Sequence, residues 1–181
     1  MTAEEIYNIL KEKFTDSILG FDKDTPTEPI ISVDPLQIHI VSKFLRDEEN
    51  LKFDSLMCLS GVDDANGEKI KHEDGSEFIK GGTLSVYYNL HSVSLKHKAT
   101  VKVSTPREEP KVESVENIWK TADWHEREAF DLLGIVFLNH PDLRRILMPY
   151  DWNDFTEEIS RYPLRKDYKN PEFYQGMKVP Y

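Results

Sequence analysis

Five of the ten prolines of this 181-residue chain stand in its last 42 residues: Pro141, Pro149, Pro163, Pro171 and Pro180. Proline fixes φ and lacks an amide proton, so a segment punctuated this way builds neither long helices nor central strands. Yet the same stretch holds eight of the twenty aromatic residues: Tyr150, Trp152, Phe155, Tyr162, Tyr168, Phe173, Tyr174 and Tyr181. Its 7 basic and 7 acidic residues balance. Disordered segments are poor in aromatics and rich in net charge, and this segment is neither. Residues 140–181 therefore read as an extended tail that needs a surface to lie on. Two surfaces are open to it, its own domain or another subunit, since aromatic and Arg side chains concentrate at interfaces. Disorder is the remaining case.

Residues 1–139 read as one α+β domain. Thr2 and Glu5 fit a capping box ahead of a helix striped by Ile6, Ile9, Leu10 and Phe14. Ser17–Phe21 and Ile30–Val33 read as strands about a Thr25-Pro26 turn. Asp34-Pro35 reads as a helix start, with Leu36, Ile40, Val41, Phe44 and Leu45 on one face. Phe53–Val62 reads as a buried strand and Asp63–Gly82 as a long polar hairpin connection. Thr83–His91 and Leu95–Ser104 read as an antiparallel pair. Glu113–Leu133 reads as helix, in one or two pieces, with Ser114 and Thr121 as caps and Gly134 as its left-handed stop. The expected fold is a small mixed or antiparallel sheet covered by helices, followed by the irregular tail.

Several function classes are excluded at this stage. With 23 basic and 33 acidic residues the net charge is −10, which argues against nonspecific nucleic-acid binding and against adhesion to anionic lipid. The longest apolar stretch, Leu132–Leu138, is far short of the roughly 20 residues of a membrane helix. The first residues carry no secretory signal. The single cysteine, Cys58, allows no internal disulfide and no cysteine-ligated cluster; it reads as core in a reducing, cytoplasmic setting.

The densest functional cluster is Trp124-His125-Glu126-Arg127-Glu128-Ala129-Phe130-Asp131-Leu132-Leu133. On a helix, Ala122, Glu126, Ala129, Phe130 and Leu133 share a face, so Glu126 lies in an apolar stripe and must be paired or protonated. Arg127 and Asp131 are spaced to pair along the helix. Glu128 and Asp131 share a third face. Downstream, His140, Arg144 and Arg145 concentrate positive charge, which favours an ion-pair network pinning their loop to the helix. If Arg145 pairs with Glu126, Arg145→Ala strips one side of a buried pair. An acid–base enzyme using Glu126 and Glu128 is the competing reading, without a nucleophile or substrate cradle. His125-Glu126 is not a zinc-protease motif, because Ala129 stands where the second histidine belongs. His39, His72, His91 and His97 read as ordinary histidines rather than a metal site. No catalytic, cofactor-binding or metal-ligating residue is expected.

Glu126-Arg127-Glu128, Asp131-Leu132-Leu133, Gly134-Ile135-Val136-Phe137, His140-Pro141-Asp142-Leu143-Arg144-Arg145-Ile146-Leu147, Asp151-Trp152 and Pro163-Leu164-Arg165-Lys166-Asp167-Tyr168 stand in this order. That spaced pattern resembles the 30-kDa subunit family of respiratory complex I, the C-type subunits of the bacterial NADH–quinone oxidoreductases. The motifs span residues 119–168. Relative to the family, Asn153–Tyr162 looks like an insertion, and Tyr150 replaces an acidic residue. The resemblance implies a cofactor-free peripheral-arm subunit of a proton-pumping, translocase-class enzyme complex. It would pack on the 49-kDa-type protein, the D-type subunit of the bacterial enzymes, beside the quinone-reducing module. FMN, iron–sulfur clusters and quinone would be held by other subunits. The resemblance implies a peripheral place on the cytoplasmic face of the cell membrane. Glu126, Arg127, Glu128, Asp131, His140, Arg144 and Arg145 would be the structural signature. Tyr150, Trp152, Pro163, Leu164, Arg165, Lys166, Asp167 and Tyr168 would form the partner-binding tail. The equivalent subunit of a membrane-bound [NiFe]-hydrogenase-type complex is the alternative.

Overall fold

The structure, a computed structural model, describes residues 1–71, 77–154, 156 and 161–179. His72, Phe155, Pro180, Tyr181 and part of the Asn153–Tyr162 stretch lie outside the described residues. The element order is α1 (Ala3–Lys13), β1 (Ile18–Asp22), β2 (Ile30–Val33), α2 (Ile38–Asp47) and β3 (Ser55–Asp63). Then come β4 (Glu68–Lys71), β5 (Glu77–Lys80), β6 (Thr83–Ser92), β7 (His97–Pro106) and β8 (Lys111–Glu113). The helix α3 (Ala122–Leu133), β9 (Val136–Leu138), a 3-10 turn (Trp152–Asp154) and the short hairpin β10 (Phe173–Tyr174) and β11 (Met177–Lys178) complete it.

Five strands form the main sheet in the order β1-β2-β7-β6-β3. It is mixed: β2 runs parallel to β7, and the other neighbours are antiparallel. The β-branched alternation of β6 and β7 turns Leu84, Val86, Tyr88 and Leu90, with Ala99, Val101 and Val103, into the core. Ile6 and Leu10 of α1, Val41 and Leu45 of α2, and Ala129 and Leu133 of α3 belong to the same apolar cluster. The predicted capping box closes α1: the Glu5 amide donates to Thr2 Oγ1 at 3.3 Å and the Thr2 amide to Glu5 Oε2 at 2.7 Å.

Four expectations change. The helix read over Glu113–Leu133 is confined to Ala122–Leu133: Glu113 ends β8, the Ser114 hydroxyl donates to Glu126, and Thr121 makes no side-chain cap bond. Residues 34–37 form a turn in which Asp34 Oδ1 accepts from the Leu36 amide, and α2 starts only at Ile38. Its buried stripe is Ile38, Val41, Ser42 and Leu45, leaving Leu36 and Ile40 about half exposed. The helix begins two to three residues later than an Asp-Pro start would place it, so its inward face rotates off those two side chains. The long polar connection contains the β4–β5 ladder, and Ile79 of it is buried. Cys58 is only partly buried, at a bulge between Leu56 and Cys58 that shifts the β3 register.

One glycine lets α3 lie close to the sheet, and another ends the helix under a tail ring. A Cβ on Gly61 of β3 would meet Leu133 Cδ1 at 2.6 Å and Ala129 Cβ at 3.1 Å. Gly134 ends α3 at φ +78°, where its amide bonds Phe130 O, and the Tyr162 ring lies against its α carbon.

Candidate functional site

α3 places its carboxylates in different environments. Glu126 faces the core and is 0 % exposed. Its Oε2 accepts from Ser114 Oγ at 2.6 Å and its Oε1 from the Val115 amide at 2.8 Å. Burial pushes this carboxyl up to about 7, against those two bonds, with Glu116 and Asp123 raising it further. The hydroxyl of Tyr88 is buried without a hydrogen-bond partner among the described residues, and burial, with the Glu126 charge, raises its pKa too. The His140 side chain is enclosed beside this group, its Nε2 4.0 Å from Glu126 Oε2 and 3.3 Å from the Asp123 carbonyl. The Asp142 amide donates to His140 Nδ1 at 3.1 Å, so the ring carries its proton on Nε2, toward Asp123 and Glu126.

Asp131, also 0 % exposed, does not pair with Arg127. Its Oδ1 takes Arg145 Nη1 at 2.5 Å. Its Oδ2 takes three successive amides, Ile146 at 3.0 Å, Leu147 at 2.7 Å and Met148 at 2.9 Å. Arg145 extends this bond to Asn153 Oδ1 at 2.5 Å. Arg145 therefore pairs with Asp131 and not with Glu126, whose acceptors are filled by the Ser114–Val115 turn. Arg127 instead bonds Asp142 at 3.2 Å, lies 3.4 Å from Asp123 and stacks on the Trp124 ring at 4.4 Å. Long-range partners displace the local Arg127–Asp131 pair because they bring backbone amides that no helix neighbour can offer. Glu128 is exposed, and Arg144 is exposed and bonded to Asp142 at 3.0 Å.

Much of the described tail lies on its own domain. Trp152 is buried and packs on Tyr174 at 5.1 Å, while neighbouring Tyr150 is 77 % exposed. Pro163 is half-buried; the Leu164 amide donates to Leu132 O at 3.0 Å, though its side chain is 51 % exposed. Arg165 Nε donates to Leu133 O at 2.8 Å and its guanidinium stacks on Tyr162. The Lys166 amide donates to Asp63 Oδ2 at 2.8 Å. Asp167 accepts from Arg107 Nη2 at 2.5 Å and from the Ile79 amide at 3.1 Å. Tyr168 is half-buried, and burial raises its hydroxyl.

Asp63 and Arg107 are the residues that sequence reasoning missed. Arg107 Nη1 donates to Asp63 Oδ2 at 2.5 Å, with both side chains buried. Burial pushes the Asp63 carboxyl up, but Arg107 and the amides of Lys166 and Ala65 together hold it below the usual carboxylate range. Arg107 sits in an Arg-Glu-Glu run that reads as surface, and its partners are 44 and 60 positions away. An acidic residue closing a buried strand, Asp63, is the one local signal.

Glu126 is enclosed and Glu128 faces solvent, so the two open on no common space for acid–base work. Among the described residues no group of three or more His, Cys, Asp or Glu could hold a metal. His39 Nδ1 is occupied by Ser114 O at 2.8 Å and His97 Nε2 by Leu51 O at 2.7 Å. Also among the described residues, no helix is long and apolar enough to cross a membrane.

Residues 31–174 match the family described as respiratory-chain NADH dehydrogenase, 30 Kd subunit. The chain is 44 % identical over 180 residues to the C-type subunit of the NADH-quinone oxidoreductase of Chloroherpeton thalassium, covering 98 % of this chain and 65 % of that relative. It is 44 % identical over 177 residues to the protein of the same name from Chlorobium phaeobacteroides, covering 97 % of this chain and 93 % of that one. The fold matches a trypsin-resistant fragment of Nqo5 with a TM-score of 0.51 at 22 % identity, over 76 % of this chain and 98 % of the fragment. It also matches a chain of an archaeal membrane-bound sulfane sulfur reductase with a TM-score of 0.56 at 19 % identity, over 92 % of this chain and 85 % of that one.

Proposed function

The chain belongs to the family of the 30-kDa subunit of respiratory-chain NADH dehydrogenase, and from that premise we propose that it is a scaffold subunit of a complex I-type NADH–quinone oxidoreductase. In this reading it sits in the peripheral arm at the cytoplasmic face of the membrane. It packs on the 49-kDa-type subunit and supports a translocase whose FMN, iron–sulfur clusters and quinone are held by its partners. Residues 140–181 are the partner-binding tail, and residues 1–139 the domain that carries it.

The observation that supports a partner role is what the tail presents to solvent. Leu147, Tyr150, Leu164, Phe173 and Met177 are each at least half exposed on a segment tied to the domain by bonds to Asp131 and Asp63. Large exposed apolar and aromatic side chains on an ordered segment mark interaction surfaces. The hydrogenase-type alternative gains nothing from the sulfane sulfur reductase likeness, which at 19 % identity carries the fold alone. The test is to purify a tagged full-length chain from its own cells. The 49-kDa-type subunit should co-purify at equal stoichiometry, and recovery of the chain without it overturns the reading.

A further inference from the structure

We infer that residues 144–148 and 162–168 are folded onto their own domain by two of its buried carboxylates, Asp131 and Asp63, before any partner is met. Both side chains are 0 % exposed. Each lies on an element that belongs to the domain itself, Asp131 in α3 and Asp63 at the end of β3. The tail fills Asp131, and it shares Asp63 with Arg107 and the Ala65 amide of the domain. Asp131 gathers the Ile146, Leu147 and Met148 amides on one oxygen and Arg145 on the other. Convergent amides of this kind form a nest that a fixed anion completes. Asp63 takes the Lys166 amide and Arg107, whose second nitrogen reaches Asp167. The Leu132 and Leu133 carbonyls, which α3 leaves open at its end, accept from the Leu164 amide and Arg165.

The direction of these groups decides between the two surfaces that a proline- and aromatic-rich tail could use. A tail awaiting a partner to order it would hold its amides and charges free for that partner. Here the Ile146, Leu147, Met148 and Lys166 amides and the Arg145 guanidinium face inward, onto buried carboxylates, while the Arg144 and Lys166 side chains stay exposed. The outward side chains Leu147, Tyr150 and Leu164 are apolar or aromatic, 61 %, 77 % and 51 % exposed. A segment that merely wraps a domain buries its large apolar side chains, and these three stay outside. A surface fixed in this way is presented without the ordering cost of a segment that folds on binding. What the outward side chains are for rests on the scaffold reading; the folding in cis does not.

Amide hydrogen exchange on the full chain, purified alone, tests it. The amides of Ile146, Leu147, Met148 and Lys166 should exchange slowly. Asp131→Asn should speed the first three by roughly ten- to a hundredfold, the worth of charge-assisted bonds, and Asp63→Asn should do the same at Lys166. The amides of Val101 and Val103 in the central strand β7 should stay protected in both variants. Unprotected tail amides in the wild-type chain overturn the inference. So does loss of protection at Val101 and Val103 together with the tail, which makes the carboxylates supports of the whole domain instead of latches. Protected tail amides in a chain that fails to bind the 49-kDa-type subunit uphold the inference and end the scaffold reading.

Discussion

Burial, acting against the bonds from Ser114 and Val115, sets the Glu126 carboxyl at about 7, compared with an ordinary 4.5. The folded chain therefore binds this proton more tightly than the unfolded one. Between those two values folding takes up a proton, so the contribution to stability is complete below pH 4.5 and is lost as pH rises through about 7. The full swing is about 3 kcal/mol on the scale of 1.4 kcal/mol per unit. Denaturant unfolding at pH 5 and pH 8 should show the wild type losing most of that swing, about 2.5 kcal/mol more than Glu126→Gln loses; parallel behaviour of the two proteins refutes the assignment. Arg145→Ala strips the cation from enclosed Asp131 and should cost ~3–5 kcal/mol, read as a fall in unfolding free energy. An unchanged melting temperature would show the pair to be solvated. The placement of Glu126 in an apolar stripe is legible in the sequence, because helical spacing alone puts it beside Ala122, Ala129 and Leu133. Its partners are not. Ser114 and Val115 reach it from a turn whose conformation depends on β8, and the sequence points Asp131 to Arg127 because local spacing is all that a helix pattern displays.

At the scale of elements, the period-2 and period-3.6 patterns locate most strands and helices of the sheet domain to within a few residues. They fail at the start of α3, read nine residues early, and where two registers compete. The run Leu36-Gln37-Ile38-His39-Ile40-Val41 offers two apolar stripes at helical spacing. The turn at Asp34–Gln37 selects the one through Ile38 and Val41, leaving Leu36 and Ile40 outside. The stop at Gly134 is legible as a left-handed residue, but the ring stacked on it is not, since Tyr162 comes from the far side of the Asn153–Tyr162 stretch. That ring sharpens the expectation for Gly134→Ala. The new methyl would sit at φ +78° and within 2.8 Å of Tyr162 ring atoms. Backbone strain and overpacking together should cost about 2–4 kcal/mol. Adding Tyr162→Ala to Gly134→Ala should recover only the steric part, so the two substitutions should be non-additive in unfolding free energy; strict additivity would place the ring elsewhere.

For the whole molecule, the tail joins both options that its composition leaves open. It binds its own domain through charges and amides, and it turns Leu147, Tyr150 and Leu164 outward. No local pattern separates these roles, because Trp152 and Tyr150 are two residues apart in one aromatic run and yet fall on opposite sides of the segment. Substitution should separate them. Trp152 is 8 % exposed and packs on Tyr174, so Trp152→Ala removes buried ring area and should lower stability by about 3 kcal/mol. Tyr150 and Leu147 are 77 % and 61 % exposed, so Leu147→Ser with Tyr150→Ser should change stability by no more than about 0.5 kcal/mol per site. If these two side chains anchor the partner, the same double variant should lose about 2 kcal/mol or more of affinity for the 49-kDa-type subunit, some thirtyfold in Kd. Thermal unfolding of the free chain and titration of the purified subunits read the two effects separately. A double variant that unfolds early assigns those side chains to the domain. One that melts normally and binds normally moves the contact to another part of the surface, with Leu164, Phe173 and Met177 the next apolar groups to replace.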